Sequence, residues 1–177
     1  MKFIKTSLAD AVLIEQQRHG DSRGYFTRIH CAKEFADAGL VSTFVQANHS
    51  ANVTAGTLRG MHFQHAPHGE VKVVRCVKGA LHDVIIDLRP DSPTFRRWEG
   101  FDLTEENGRS LYVPAGFAHG FQTLVDDTHA TYQVSYPYTP GAEGGVRWDD
   151  PAFGVAWPLP VTVLSEKDAA WPLLEAR

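Results

Sequence analysis

The sequence predicts a mainly β fold, either a sandwich or a barrel of mostly antiparallel strands. Turn-forming Gly, Pro, Asn and Asp residues recur at short intervals along the chain. Between them lie short segments rich in Val, Ile, Phe and Tyr, which favour extended structure. Many short strands at even spacing are typical of sandwiches and barrels. The chain contains no linker, repeat or low-complexity tract, so we expect one domain over residues 1–177.

The individual elements follow from local signals. The first is a helix over residues 32–38, which Gly39 ends because glycine readily adopts the left-handed conformation after a last helical turn. A second short helix should follow Ser165, a good N-cap, with acidic residues 166 and 168 in its first turn. The clearest strands between these helices are residues 71–77, 84–88, 110–113 and 130–136.

Bulk composition excludes several classes of protein. A length of 177 residues is enough to bury a core. The net charge of −4, with both signs mixed along the chain, gives no basic footprint for nucleic acid. The two cysteines, Cys31 and Cys76, are far apart, which favours free thiols in a reducing compartment. The first seventeen residues contain Asp10 and Glu15 and lack a long apolar run, so we expect a cytoplasmic protein without a membrane span.

A first candidate site lies in the run Leu58-Arg59-Gly60-Met61-His62-Phe63-Gln64. Residues two or three positions apart on a strand can face one cavity if a local glycine allows a bend. Gly60 could provide that bend between Arg59 and His62. The run therefore places a proton-transfer group beside a potential phosphate ligand.

A second run has Pro114, Gly116 and His119 at a spacing that resembles the second signature of the cupin family of jelly-roll barrels. His62 fits the first cupin signature, but Gln64 stands where a second histidine is usual. Glu70 is also off the usual spacing, and the nearby residues 65 and 68 are predicted to lie in a loop. Metal cupins need several His and carboxylate ligands around one ion, so we expect no metal.

A set of motifs in fixed order then widens the resemblance. They are RGMHFQ, KVVRCVKGALHDVIIDLRPDSPTF, YVPAGFAHGFQTL, VRWDDP, WPLP and SEKD. Together they resemble the dTDP-4-dehydrorhamnose 3,5-epimerase family from about residue 21 to residue 172. The resemblance implies a cupin-type jelly-roll barrel and a nucleotide-diphosphate 4-keto-6-deoxyhexose as substrate. It also implies that no cofactor is used, and that two copies form a homodimer in which a strand or loop crosses to the partner.

Epimerisation beside a ketone needs a base, a group that stabilises the enolate, and an acid on the opposite face of the carbon. The resemblance assigns the base to His62 and its orienting carboxylate to Asp168. It places Lys72 near the C4 oxygen of the sugar, with His119 close by as a second donor. It assigns the acid to Tyr132.

The residues alone leave other interpretations open. Asp168 could be an ordinary carboxylate in the first turn of a helix, and a strand lysine such as Lys72 usually reaches solvent. Tyr132 could be a core tyrosine. The family resemblance implies that Asp83 is a cavity-side carboxylate with a supporting role near the base, whereas Asp87 and Arg89 are predicted to form a structural pair at a strand end.

The nucleotide end requires cations, because a pyrophosphate carries negative charge and arginine fits its oxygens well. We expect Tyr138 to line the cavity, since it lies on the same side of a regular strand as Tyr132. Seven further residues match family positions near the nucleotide or could contact it: Arg23, Phe26, Arg28, Gln46, Asn48, Arg59 and Lys167.

Arg28 departs from the family, which usually has Glu two residues after Phe26. A carboxylate can accept the N3–H of thymine, whereas arginine only donates. One hypothesis is therefore that the nucleotide is not thymidine but cytidine or another base. The alternative is that Arg28 points elsewhere and thymidine is bound.

Three other functions compete with an epimerase. One is a metal-dependent cupin dioxygenase, and another is a non-catalytic jelly roll that binds nucleotide sugars. Binding alone would not require His62, Lys72, Tyr132 and Asp168 together. The third is a 3,4-ketoisomerase on the same fold, but the order of the motifs favours the epimerases.

Overall fold

The computed structural model describes residues 1–174, and the chain in this range consists mainly of antiparallel strands. Two short helices, α1 (Ala32–Asp37) and α2 (Glu166–Ala169), accompany the strands. The strands are β1 (Lys2–Lys5), β2 (Val12–Glu15), β3 (Arg18–Asp21), β4 (Gly24–Thr27), β5 (Gln46–Asn52), β6 (Leu58–Gln64), β7 (Lys72–Lys78), β8 (Ala80–Asp87), β9 (Trp98–Thr104), β10 (Ser110–Val113), β11 (Phe117–Thr123), β12 (Thr128–Val134) and β13 (Glu143–Gly145).

Two sheets face each other and enclose the main core. The six-stranded sheet has the order β1-β2-β10-β7-β12-β5, and the five-stranded sheet has the order β13-β6-β11-β8-β9. Neighbouring strands pair antiparallel throughout both sheets. Most strands that are adjacent in a sheet are distant in sequence, as in a jelly roll. The predicted fold, a mainly β jelly-roll barrel of the cupin type, is confirmed.

The alternation of side chains along β7 shows how the sequence directs each residue. Val74 and Cys76 are fully buried in the core between the sheets, together with Leu81 and Ile85 of β8. Val73 points the other way and packs with residues of α1 on the outer side. Because alternate residues of a strand share a face, position 72 lies on the same side as positions 74 and 76.

The predicted elements agree with the structure except at their ends. Helix α1 ends at Asp37, and Gly39 after it has a φ of 73°, as expected for a glycine that terminates a helix. In α2 the Ser165 hydroxyl accepts a hydrogen bond from the Asp168 amide at 3.1 Å, so the predicted N-cap is confirmed. Four strand predictions are also confirmed to within a few residues at each end. Helices of six and four residues are too short to cross a membrane, and the described residues hold no candidate span.

A separate two-stranded hairpin, formed by β3 and β4, belongs to neither sheet. Almost all of its residues are exposed, including the aromatic side chains of Tyr25 (55%) and Phe26 (69%). Monomeric proteins rarely leave large aromatic side chains uncovered in this way. The two aromatic side chains of the hairpin therefore form a surface that a contact from outside the hairpin would cover.

Candidate functional site

A cavity of about 820 Å³ opens between the two sheets at one end of the sandwich. Strands β5, β7 and β12 of the six-stranded sheet form one wall, and β6 and β11 of the five-stranded sheet form the other. Helix α2 and the segment after it complete the rim. Ten of the fourteen predicted site residues line this cavity: Gln46, Asn48, Arg59, His62, Lys72, His119, Tyr132, Tyr138, Lys167 and Asp168.

His62 and Asp168 form the closest polar pair in the cavity. The Nε2 atom of His62 lies 2.6 Å from Oδ1 of Asp168, although the residues are 106 positions apart in sequence. The second carboxylate oxygen of Asp168 accepts a hydrogen bond from the Gly60 amide at 3.2 Å. Ser165 caps α2 and thereby fixes the turn from which the carboxylate projects. With Nε2 donating to Asp168, the Nδ1 atom of a neutral His62 is left free to take up a proton.

The carboxylate is held in its ionised form. Burial of Asp168 raises its pKa, but the hydrogen bond and the charge of His62 and the hydrogen bond from Gly60 outweigh this effect. The net result is a pKa below the ordinary value for aspartate. An ionised Asp168 can orient the imidazole and stabilise its protonated form.

Lys72 points into the cavity, as its register on β7 requires. Its side chain is 10% exposed, and Nζ lies 2.9 Å from Oε1 of Glu70 and 3.3 Å from the carbonyl oxygen of His62. An ammonium group has three N–H donors, and these two contacts occupy two of them. The alternative that Lys72 extends into solvent is excluded by this burial.

His119 lies opposite His62 on the neighbouring strand, where the two residues are paired in the register of β11 and β6. Its Nε2 atom is 2.9 Å from Oδ2 of Asp83, which is completely buried. Asp83 is therefore bonded to His119, and no hydrogen bond among the described residues joins it to His62. Asp83 supports His119, because both side chains point to the same interior face from adjacent strands β8 and β11.

Tyr132 faces the cavity from the opposite sheet. It lies on β12 in the six-stranded sheet, whereas His62 lies on β6 in the five-stranded sheet. Burial raises the pKa of the Tyr132 phenol; the charge of Arg59 lowers it and that of Glu70 raises it further. The net pKa is above the ordinary value of tyrosine, so the residue is a protonated phenol at neutral pH.

The predicted bend between Arg59 and His62 is present. On a regular strand, residues three positions apart would face opposite sides of the sheet. Gly60 has a φ of 128°, and the pairing with β11 shifts register at this point. A Cβ atom on Gly60 would lie 2.5 Å from the Cα of Gly120, so only glycine fits here. Both side chains consequently line the cavity, and Arg59 Nε donates to the Asn52 side chain at 2.6 Å.

The outer part of the cavity carries polar and charged groups. The side chains of Gln46 and Asn48 are hydrogen-bonded to each other at 2.9 Å. Lys167 forms an ion pair with Glu143 at 2.7 Å across the rim. Tyr138 lines the cavity as expected, but not for the predicted reason: β12 ends at Val134, and Tyr138 reaches the rim from the loop that follows.

Three predicted nucleotide ligands lie outside this cavity. Arg23 is on the exposed hairpin and pairs with Asp21. Phe26 and Arg28 line a separate small cavity of about 240 Å³ beside the N-terminus. There Arg28 binds Glu34 at 3.1 Å. The structure therefore does not bring these residues together with His62 in the same chain.

Sequence reasoning missed three residues of the site. Glu70 lines the inner cavity, Glu143 its rim, and Trp171 packs edge-on against His62 with ring centroids 6.3 Å apart. Glu70 could have been found, since it precedes Lys72 by two positions, the spacing of side chains that share a face of a strand. Glu143 and Trp171 come from segments whose path across the cavity carries no local signal.

The site thus has the His62–Asp168 pair and the Tyr132 phenol on opposite walls, with Lys72 and Arg59 in the same cavity. This arrangement suits removal of a proton from one face of a carbon and its return to the other. Within residues 1–174, no group of three or more His, Cys, Asp or Glu side chains is placed to hold a metal ion.

Comparison with known proteins gives one family. The family model for dTDP-4-dehydrorhamnose 3,5-epimerase matches residues 5–176. The dTDP-4-dehydrorhamnose 3,5-epimerase of Sinorhizobium fredii is 48% identical over 179 residues, which cover 98% of this chain and 90% of that protein.

Solved structures agree with this result. The Bacillus anthracis dTDP-4-dehydrorhamnose 3,5-epimerase, crystallised with TDP and PPi bound, superposes with a TM-score of 0.95 at 44% identity, covering 98% of this chain and 99% of that one. The Legionella pneumophila dTDP-6-deoxy-D-glucose-3,5-epimerase, in complex with dTDP-4-keto-L-rhamnose, has a TM-score of 0.92 at 37% identity and covers 97% and 92% of the two chains. This chain therefore belongs to the dTDP-4-dehydrorhamnose 3,5-epimerase family.

Proposed function

We propose that this chain is a cofactor-independent isomerase that inverts C3, C5 or both in a nucleotide-linked 4-keto-6-deoxyhexose. The observation that carries the proposal is the placement of the His62–Asp168 pair and Tyr132 on opposite walls of one cavity. The family supports the class of substrate, and the geometry of the cavity supports the residue proposed for each step. The reaction would serve deoxysugar synthesis of the rhamnose type.

The first step is proton removal by His62. A carbon beside the C4 ketone has an acidic C–H, and the free ring nitrogen of His62 takes this proton. Asp168 accepts from the other ring nitrogen at 2.6 Å and stabilises the imidazolium that forms. The electrons of the broken C–H bond move into the carbonyl and give an enolate.

The second step is stabilisation of the enolate oxygen. Lys72 has one N–H left after its contacts with Glu70 and His62, and this donor is available to the C4 oxygen. His119 enters the cavity beside it, oriented by Asp83. Donors preorganised in a cavity with little water stabilise developing charge strongly.

The third step is protonation of the other face. Tyr132 is a buried phenol whose pKa is raised, so it carries the proton that this step requires. After the phenol donates, the carbon has the inverted configuration, the phenolate regains a proton from solvent, and the His62 imidazolium releases the proton that it took. Arg59, whose charge lowers the pKa of Tyr132, stabilises the transient phenolate.

For the nucleotide we propose dTDP, bound along the polar outer cavity by Gln46, Asn48, Arg59, Tyr138 and Lys167. The relatives described above carry TDP or a dTDP sugar in their structures. Arg28 is the observation that favours another base, but its guanidinium is already engaged by Glu34. Binding of dTDP, CDP, UDP and GDP to the free protein tests this choice, and a preference for any base other than thymine would refute it.

We also propose a homodimer in which the β3–β4 hairpin of one copy completes the cavity of the other. The hairpin carries Arg23 and Phe26 away from the cavity of its own chain and leaves them exposed. A dimer would cover these aromatic side chains and supply a phosphate ligand at the same time. Mixing two inactive variants, H62A and R23A, would restore part of the activity if Arg23 acts across the dimer. A mixture that stays inactive would contradict the proposal that Arg23 acts in the cavity of the partner copy.

The domain organisation, the cellular location and the alternative functions can be considered together. We propose that residues 1–177 form one epimerase domain and that the protein works in the cytoplasm, where its free thiols Cys31 and Cys76 remain reduced. The metal-dependent dioxygenase is not supported, since the related proteins described above are epimerases. Full activity in the presence of a strong chelator would argue further against it.

The central experiment is incubation in heavy water with nucleotide 4-keto-6-deoxy sugars, followed by NMR. Deuterium at C3, C5 or both identifies the inverted carbons. The H62A variant should bind dTDP as the wild type does but lose this exchange. An H62A protein that exchanges at the wild-type rate would show that His62 is not the base.

A further inference from the structure

Glu70 is a buried carboxylate that the steps above do not use. Its side chain is 7% exposed, and it lines the inner cavity with Tyr132 and Lys72. Oε1 pairs with Lys72 Nζ at 2.9 Å, whereas Oε2 is out of contact with solvent and has no hydrogen-bond partner among the described residues. The carboxylate is thus half satisfied.

A half-satisfied carboxylate in this position is unusual. Burial of a charged group is unfavourable unless its oxygens find donors, and nearly all buried polar atoms in proteins do so. The ion pair with Lys72 satisfies one oxygen. The other is covered and has no donor among the described residues, and because Glu70 lines the cavity, a rotation of its carboxylate would bring this oxygen to a hydroxyl of a bound sugar.

We infer that Glu70 positions the Lys72 ammonium group and accepts a hydrogen bond from the C3 hydroxyl of the substrate sugar. This inference rests on the proposed function. It makes Glu70 a residue that determines which carbon of the sugar reacts.

The choice of hydroxyl follows from the position of Lys72. A 4-keto-6-deoxyhexose attached to a nucleotide through C1 has free hydroxyl groups on C2 and C3. With Lys72 Nζ on the C4 oxygen, the hydroxyl on the adjacent C3 is the nearer of the two to the carboxylate bound to Nζ. Epimerisation at C3 moves this hydroxyl to the other face of the ring. A hydrogen bond to the hydroxyl should therefore affect the rate of epimerisation at C3 more than the rate at C5.

The charge of Glu70 also acts on the proposed acid. Six charged or titratable groups other than Tyr132 lie in this part of the cavity: Arg59 and His62 from β6, Asp168 from α2, Glu70 from the segment just before β7, Lys72 from β7 and His119 from β11. Of these, Arg59 lowers the pKa of Tyr132 and Glu70 raises it, in addition to the larger effect of burial. Removing the negative charge therefore lowers the pKa of Tyr132.

The test compares E70Q with the wild type in heavy water, with E106Q as a control because Glu106 is exposed and lies outside the cavity. We expect deuterium exchange at C3 to fall about 10- to 100-fold in E70Q, the usual effect of a hydrogen bond to a charged group. Exchange at C5 should fall by a smaller factor. The alkaline limb of the pH–rate profile should move to lower pH, which a purely structural role of Glu70 would not cause.

Other outcomes separate this inference from the proposed function. C3 exchange that falls no more than C5 exchange, or an alkaline limb that does not move, overturns the role of Glu70. A wild-type protein that exchanges C5 alone also overturns it but leaves the epimerase intact, whereas exchange at neither carbon refutes the proposed function itself. If E70Q does not fold, E70D serves as the second variant, because aspartate keeps the charge but has a side chain one methylene shorter. It should still lower C3 exchange more than C5 exchange.

Discussion

Replacement of Asp168 by asparagine tests the proposed base most directly. The carboxylate accepts from His62 Nε2 at 2.6 Å and from the Gly60 amide at 3.2 Å. In D168N the amide oxygen can keep the contact with Gly60, but the amide nitrogen then faces His62 and donates to Nε2. The imidazole must place its proton on Nδ1, the atom that should accept the substrate proton.

The expected loss of rate comes from this tautomer and from the missing negative charge beside the imidazolium. The corresponding change in a serine protease triad lowers the catalytic rate constant about 10⁴-fold, while the geometry is preserved. We expect a loss of about 10³- to 10⁴-fold here, because Asp168 is similarly buried and held below its ordinary pKa.

The assay is deuterium incorporation into the sugar, with binding of dTDP measured in parallel to show that the cavity is intact. E166Q is the matched control, since Glu166 lies two residues away on α2 and is exposed. D168N activity within about threefold of wild type, a difference of less than 1 kcal/mol, would refute the assignment of Asp168 as the partner of the base.

Three further predictions concern the acid, the backbone and the pH dependence of stability. Y132F should still exchange protons with solvent but form little of the inverted sugar, because the opposite face receives no proton; equal loss of exchange and inversion would instead indicate a role in binding. G60A should lower the melting temperature and the activity together, since its Cβ would meet the backbone of Gly120 at 2.5 Å, and a variant with wild-type melting and activity would contradict the close approach. Asp87 is buried and bonded to Arg89, Ser92 and Thr94, and its pKa is lowered to about 2. In the unfolded chain the pKa of an aspartate is near 4. The ionised Asp87 therefore stabilises the fold by about 2 kcal/mol above pH 4, and this contribution is lost as the pH falls toward 2. Urea unfolding at pH 7 and pH 2.5 should therefore show a smaller difference for D87N than for wild type, and an equal difference would contradict this assignment.

Much of the fold was predictable because it depends on local patterns. Turn residues between short apolar runs indicated the strands, and Gly39 and Ser165 marked the ends of the two helices. The pair Asp87–Arg89 was also predictable, since two residues at a strand end can meet without any long-range information; the structure joins them at 2.8 Å.

The site was less accessible to local reasoning. His62 and Asp168 meet only because the segment after the last strand returns to β6, and residue types alone favoured an ordinary helix carboxylate at position 168. The contact between Asp83 and His119 could not be derived from residue types, since the order of strands in the sheet decides that β8 lies beside β11. The position of Arg23 and Phe26 could not be derived from periodicity, because their hairpin joins neither sheet.

The return of α2 to β6 has a consequence for protein synthesis. A nascent chain that extends only through β13 already contains His62, Lys72, His119 and Tyr132, but not Asp168, the proposed partner of the base. Such a chain would present an unoriented imidazole to the cavity. Under the proposed mechanism, full activity therefore requires that residues 165–169 have been made and have packed against β6.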